Sequence, residues 1–119
     1  MKKIIALVFL LLPLSSFAEA CVGGGGNVYD DLSCVNSGLD KSKKELNAIY
    51  QKIYASTQYK NEFEQSQKAW LNYREKQCNG YIAAEASQSQ GVGPGLITKD
   101  CLLAITRQRV DYLKTLLEK

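Results

Sequence analysis

Chemistry in a chain this small needs a nucleophile, a base or a bound metal, and the residue types restrict each of these. The 119 residues contain no histidine, so attack by serine or cysteine has no imidazole to assist it. The nearest carboxylates in sequence are Asp30 with Asp31 and Glu62 with Glu64. Paired carboxyls can share acid–base work when they flank a scissile bond, but neighbours in a polar stretch read as solvated surface charge. The four cysteines, Cys21, Cys34, Cys78 and Cys101, form no C-x-x-C, which removes the thioredoxin-like and paired zinc-ligand patterns. The remaining acidic side chains are scattered, so neither a metal nor a cofactor is expected. The expectation is a binding protein and not an enzyme.

The residue that most needs explaining is Arg74, in the stretch QKAWLNYREKQC from Gln67 to Cys78. At about 100° per residue, Phe63, Trp70, Arg74 and Tyr81 fall within roughly 20° of one helical meridian, with Gln67 and Cys78 beside it. A cation in an apolar stripe is either buried with a partner or part of a binding face.

The elements that must position these groups follow a leader. MKKIIALVFLLLPLSSFAEAC has two lysines, an apolar run broken by Pro13, and Ala18 and Ala20 at the −3 and −1 positions of a cleavage site. Residues 1–20 therefore read as a secretory signal peptide, too short in its apolar stretch to be a transmembrane segment. Cleavage leaves 99 residues, one small domain, and loss of Lys2, Lys3 and Glu19 takes the formal net charge from +3 to +2. With no basic run, no nucleic acid partner is expected. Four cysteines in a small exported chain read as two disulfides. A second reading makes Cys21, at the cleavage point, a lipid acceptor with the glycines after it as a spacer.

Residues 21–38 are rich in glycine and turn formers, Asn27, Asp30, Asp31, Asn36 and Gly38 among them. They read as an irregular segment pinned by a disulfide, with at most one helical turn near Asp30 to Val35. No Lys-Ser/Thr follows the four glycines, so they are not a phosphate cradle. Residues 39–119 read as three amphipathic helices. The first runs from about Leu39 to Ser56, capped by Ser37 or Asp40, with Leu46, Ile49, Tyr50 and Ile53 at helical spacing. The second runs from about Lys60 to Ala86, stopped by SQSQGVGPG. The third begins near Thr98 and aligns Leu102, Ile105, Thr106, Arg109, Leu113 and Leu116.

The expected fold is all-α, a small disulfide-stabilised, up-down-up three-helix bundle with every cysteine at one end. That proximity permits any pairing, but short loops close more easily, favouring Cys21–Cys34 and Cys78–Cys101. The second bridge would pair positions of helices two and three whose numbers add to about 179. That register puts Arg109 beside Trp70 and Arg74 opposite Ile105. Arg74 should then face the first turns of helix one, near Lys44 to Asn47, and find at least two acceptors, Asn47 and loop carbonyls among them.

Three stretches carry a resemblance. ELNAIY places Asn47 and Tyr50, QKAWLNYREKQC places Gln67, Trp70, Arg74 and Cys78, and CLLAITRQRVDYL places Thr106 and Arg109. Their spacings, Gln-x-x-Trp-x-x-x-Arg-x-x-x-Cys above all, resemble the LprI-like lysozyme inhibitor family, also called the LprI N-terminal domain family. The resemblance implies a small exported helical domain of bacterial envelopes. One departure is Lys43, three positions before Leu46–Asn47, where the family often has aspartate.

Three functions follow. One is a periplasmic or secreted inhibitor of lysozyme or a related peptidoglycan-cleaving enzyme. Another is a structural or interaction protein of the envelope, including an immunity partner for a secreted effector. The third, a small hydrolase, lacks a motif. A slightly positive chain gains no overall attraction to a basic lysozyme, so acidity at Asp30, Asp31, Glu62 and Glu64 would have to act locally.

Overall fold

The computed structural model describes Cys21, residues 27–88, Gly91 and residues 93–119. The signal-peptide reading of residues 1–20 and the glycine run that follows Cys21 lie outside these residues.

Helix α1 spans Val28–Ser56 and so begins well ahead of the expected start at Leu39. Asn27 begins it: its side-chain oxygen accepts the backbone N–H groups of Tyr29 and Asp30, each at 2.9 Å. Asp30 and Asp31 occupy the first turn, where the positive end of the helix dipole favours carboxylates. The acids first weighed as an acid–base pair thus help to start a helix, and the segment expected to be irregular is helical from residue 28. Gly38 lies inside α1 despite a cost of about 1 kcal/mol relative to alanine. A Cβ there would stand 2.9 Å from Arg107 Nη2 and 3.3 Å from Leu103, so the missing side chain lets the last helix approach.

Along α1 the buried residues Val35, Leu39, Ser42, Leu46, Ile49 and Ile53 alternate in steps of four and three, the spacing of a coiled-coil seam. Helix α2, Lys60–Glu75, runs back alongside and continues through a π-helical turn, Lys76–Ile82, into the short α3, Ala83–Ala86. Helix α4, Gly93–Leu117, returns parallel to α1. It begins before the expected Thr98 because Pro94 sits in the first turn, where its missing N–H leaves no helical bond unmade. The fold is therefore an all-α, up-down-up arrangement of three helical rods.

The core runs along α1 and α4. One cluster joins Cys21, Val35 and Leu39 to Leu96 and Leu103. A second joins Leu46, Ile49 and Ile53 to Val110 and Leu113, with Phe63, Trp70 and Leu116 packed on it. Leu103 and Val110 were not on the expected stripe of the third helix, because α4 faces α1 and α2 on two adjoining sides and its buried arc is wider than one stripe. By contrast, α2 buries none of its residues fully.

The π-helical turn corrects the expected stripe of α2. The Ala83 N–H donates to the carbonyl of Cys78, five residues back, so the turn takes in one residue more than an α-helical one and sets the phase back by about 100°. Cys78 then faces inward with no exposed area, and Ala86 is buried. Tyr81, expected on the inner stripe, is instead 57% exposed.

The cysteines pair as Cys21–Cys34 and Cys78–Cys101, the pairing favoured by loop length. The Cys21 sulfur so bonded to Cys34 is not a free thiol. Among the described residues no helix is long and apolar enough to cross a membrane.

Candidate functional site

The seven motif residues divide between two sides of α2. Toward α4 they form a seam. Trp70 is half-buried, with the guanidinium carbon of Arg74 5.0 Å and that of Arg109 5.7 Å from its ring centre. Each is within the range of a cation–π contact. The antiparallel register set by Cys78–Cys101 brings both arginines there. Arg74 Nη1 donates to Thr106 Oγ1 at 2.9 Å, and that hydroxyl donates to the Leu102 carbonyl at 2.6 Å. Arg109 Nε donates to Gln67 Oε1 at 3.0 Å, and its Nη2 reaches Ser66 Oγ at 3.4 Å.

Arg109 therefore lies at Trp70, as the register required, but the expected partners of Arg74 are corrected. Its acceptor is Thr106 on α4, not Asn47 on α1, because the side chain crosses the indole toward α4. Its Nε is buried with no hydrogen-bond partner, where two acceptors had been expected. Burial draws the Arg74 guanidinium below its usual pKa, an effect opposed by the nearby Glu75. Burial lowers that of Arg109 too, opposed by Tyr112. Among the described residues the ion pairs join Lys44 to Asp40, Lys68 to Glu64 and Lys114 to Glu45. Neither arginine of the seam shares in one.

Toward α1, the same helix borders a groove of about 390 Å³. Four motif residues line it: Asn47 and Tyr50 from α1, Gln67 and Arg74 from α2. Tyr50 is fixed by stacking, with ring centres 5.8 Å from Tyr54 and 5.0 Å from Phe63. Burial raises its pKa, with Glu64 and Tyr54 adding to the shift. Trp70, Thr106 and Arg109 lie behind the groove, joined to it through Gln67 and Arg74.

The remaining lining is Lys43, Leu46, Glu64, Lys68 and Leu71. Lys68 and Leu71 were not among the expected site residues, although the signal was present: from Glu64, the lining positions on α2 fall at +3, +4, +7 and +10, one helical face. Glu62 lies in the first turn of α2, away from this lining. The arrangement offers apolar walls, amides and cations, which suits binding.

The chain matches no curated protein and no solved structure. The family model described as lysozyme inhibitor LprI, however, matches residues 22–113, and these include Cys34, the Cys78–Cys101 bridge, the Arg–Trp–Arg seam and the groove. The chain belongs to the lysozyme inhibitor LprI family.

Proposed function

We propose that the protein works outside the cytoplasm as a stoichiometric, non-catalytic inhibitor of lysozyme or a related peptidoglycan-cleaving enzyme. Family membership across residues 22–113 carries this reading. It is supported by two disulfides, which persist in oxidising compartments, and by a leader-like first 20 residues. The groove and seam contain cations, amides and apolar surface, and the groove's one carboxylate, Glu64, is paired with Lys68.

The test uses the oxidised mature protein. At equimolar concentration it should slow the clearing of bacterial cell walls by lysozyme, and unchanged clearing at a large molar excess would reject the reading. Turnover of wall fragments by the protein alone would overturn its non-catalytic part.

A second reading, an envelope interaction or immunity protein for a secreted effector, is favoured by one observation. The formal charge of about +2 after cleavage gives no overall attraction to a basic enzyme. Capture of an effector by a protein that leaves lysozyme untouched would select it.

A further inference from the structure

We propose that the groove between α1 and α2 is the docking surface of this protein, and that it receives an acidic segment of the target enzyme, a carboxylate beside an apolar side chain. This rests on the inhibitory reading above.

Helix α2 has no fully buried residue. Its face toward α1 is left partly unfilled: Leu71 is 42% exposed beside the buried Leu46. Two helices that present side chains at regular spacing around an apolar trough form a ready seat for an extended or helical segment.

Charge selects the occupant. Three cations, Lys43, Lys68 and Arg74, border the groove against one carboxylate, Glu64. Glu64 lies 3.9 Å from Lys68, and among the described residues no carboxylate is in ion-pair contact with Lys43 or Arg74. The guanidinium of Arg74 has five N–H donors. Nη1 is committed to Thr106 and Nε is buried, so Arg74 serves the groove as a fixed positive charge beside Lys43 and Lys68 and not as a bidentate donor. A second copy of this chain would bring the same cations face to face, whereas an acidic segment supplies the counter-charge that the groove lacks.

The experiment measures binding of hen-type lysozyme to the full oxidised mature protein by calorimetry, at low and at moderate salt. Lys43→Glu combined with Lys68→Glu, and separately Leu71→Asp, should each weaken binding about tenfold or more. Raising the salt should weaken binding of the parent. Lys52→Glu combined with Lys119→Glu makes the same change in net charge outside the groove and should stay within about twofold. All five positions are exposed, and unchanged thermal melts would establish that each variant folds.

If the parent binds and the groove variants bind equally well, the docking surface is wrong and the inhibitory reading stands. The same holds if the control pair weakens binding as much as the groove pair. If the parent neither binds nor inhibits lysozyme, both fall. Concentration-dependent dimers abolished by Leu71→Asp, with lysozyme binding intact, would assign the groove to a second copy and overturn the proposal.

Discussion

Arg109 and Gln67, on different helices, are joined by a hydrogen bond of 3.0 Å, and the guanidinium so held lies 5.7 Å from the centre of the Trp70 ring. Because α2 has no fully buried side chain, contacts of this kind carry much of its attachment to α4. Arg109→Ala removes a charged hydrogen bond and a cation–π contact, for a loss of about 2 kcal/mol at a half-buried site. Arg109→Lys keeps the charge without the fork and should recover less than half of that. Urea denaturation, read as a shift in midpoint at constant slope, measures both.

Thr106 has no exposed area and accepts from Arg74 while donating to Leu102. Thr106→Val keeps the shape but leaves Nη1 of Arg74 without its acceptor, beside an Nε that already has none. A loss of about 1–3 kcal/mol is expected. Thr106→Ser keeps the hydroxyl and should be the milder change. Equal melting temperatures for the two would show that the hydroxyl contributes nothing.

Two glycines should respond oppositely to alanine. At Gly80 nothing lies within 4 Å of an added Cβ, so helical propensity alone acts and Gly80→Ala should stabilise by about 0.5–1 kcal/mol. At Gly38 a similar gain meets Arg107 and Leu103, both of which must yield to the added Cβ. Gly38→Ala should come out near neutral and Gly38→Val destabilising by about 1–3 kcal/mol. Thermal melts of the three variants give the comparison.

Mild reduction should open the two disulfides in order. Cys34 is exposed, whereas Cys78 has no exposed area, and a thiolate must reach a sulfur to attack it. Alkylation and peptide mapping at partial reduction should find Cys21 and Cys34 labelled first. Loss of the Cys78–Cys101 bridge, tested as the double serine variant, should cost about 3 kcal/mol.

At high pH the fold should weaken through Tyr50 and Lys114. Burial raises the pKa of Tyr50, and the hydrogen bond to Glu45 raises that of Lys114. Each group holds its proton longer folded than unfolded. The stability it contributes is complete below the unfolded pKa, about 10 for tyrosine and 10.4 for lysine, and is lost as pH rises through the folded value. Stability should thus be level through neutral pH and decline above about pH 10. Tyr50→Phe should flatten part of that decline, and a parent-like profile would remove Tyr50 from the account.

Much of this was legible in residue spacing. The apolar steps of α1 and the antiparallel register of α2 and α4 are properties of helical period, so Arg109 could be set beside Trp70 from numbers alone. Asn27, Asp30 and Asp31 misled because the residues that favour turns also start helices, and only the capping geometry separates the two. The π-helical turn leaves no mark on a fixed 3.6-residue period, which is why Tyr81 was placed inside. The partner of Arg74 depended on which way one long side chain crosses an indole, a choice that packing makes.

The absence of any fully buried residue in α2 also has a consequence for motion. Amide protons between Lys60 and Glu75 are protected by hydrogen bonds whose opening need not disturb the α1–α4 core. Local opening can then proceed at a fraction of the global unfolding free energy. The rod is held at one end by the hairpin around Thr57 and at the other by the Cys78–Cys101 bridge, so an opened α2 stays tethered beside its seat. Hydrogen exchange should resolve it as the first cooperative unit to open, with the paired helices α1 and α4 as the last.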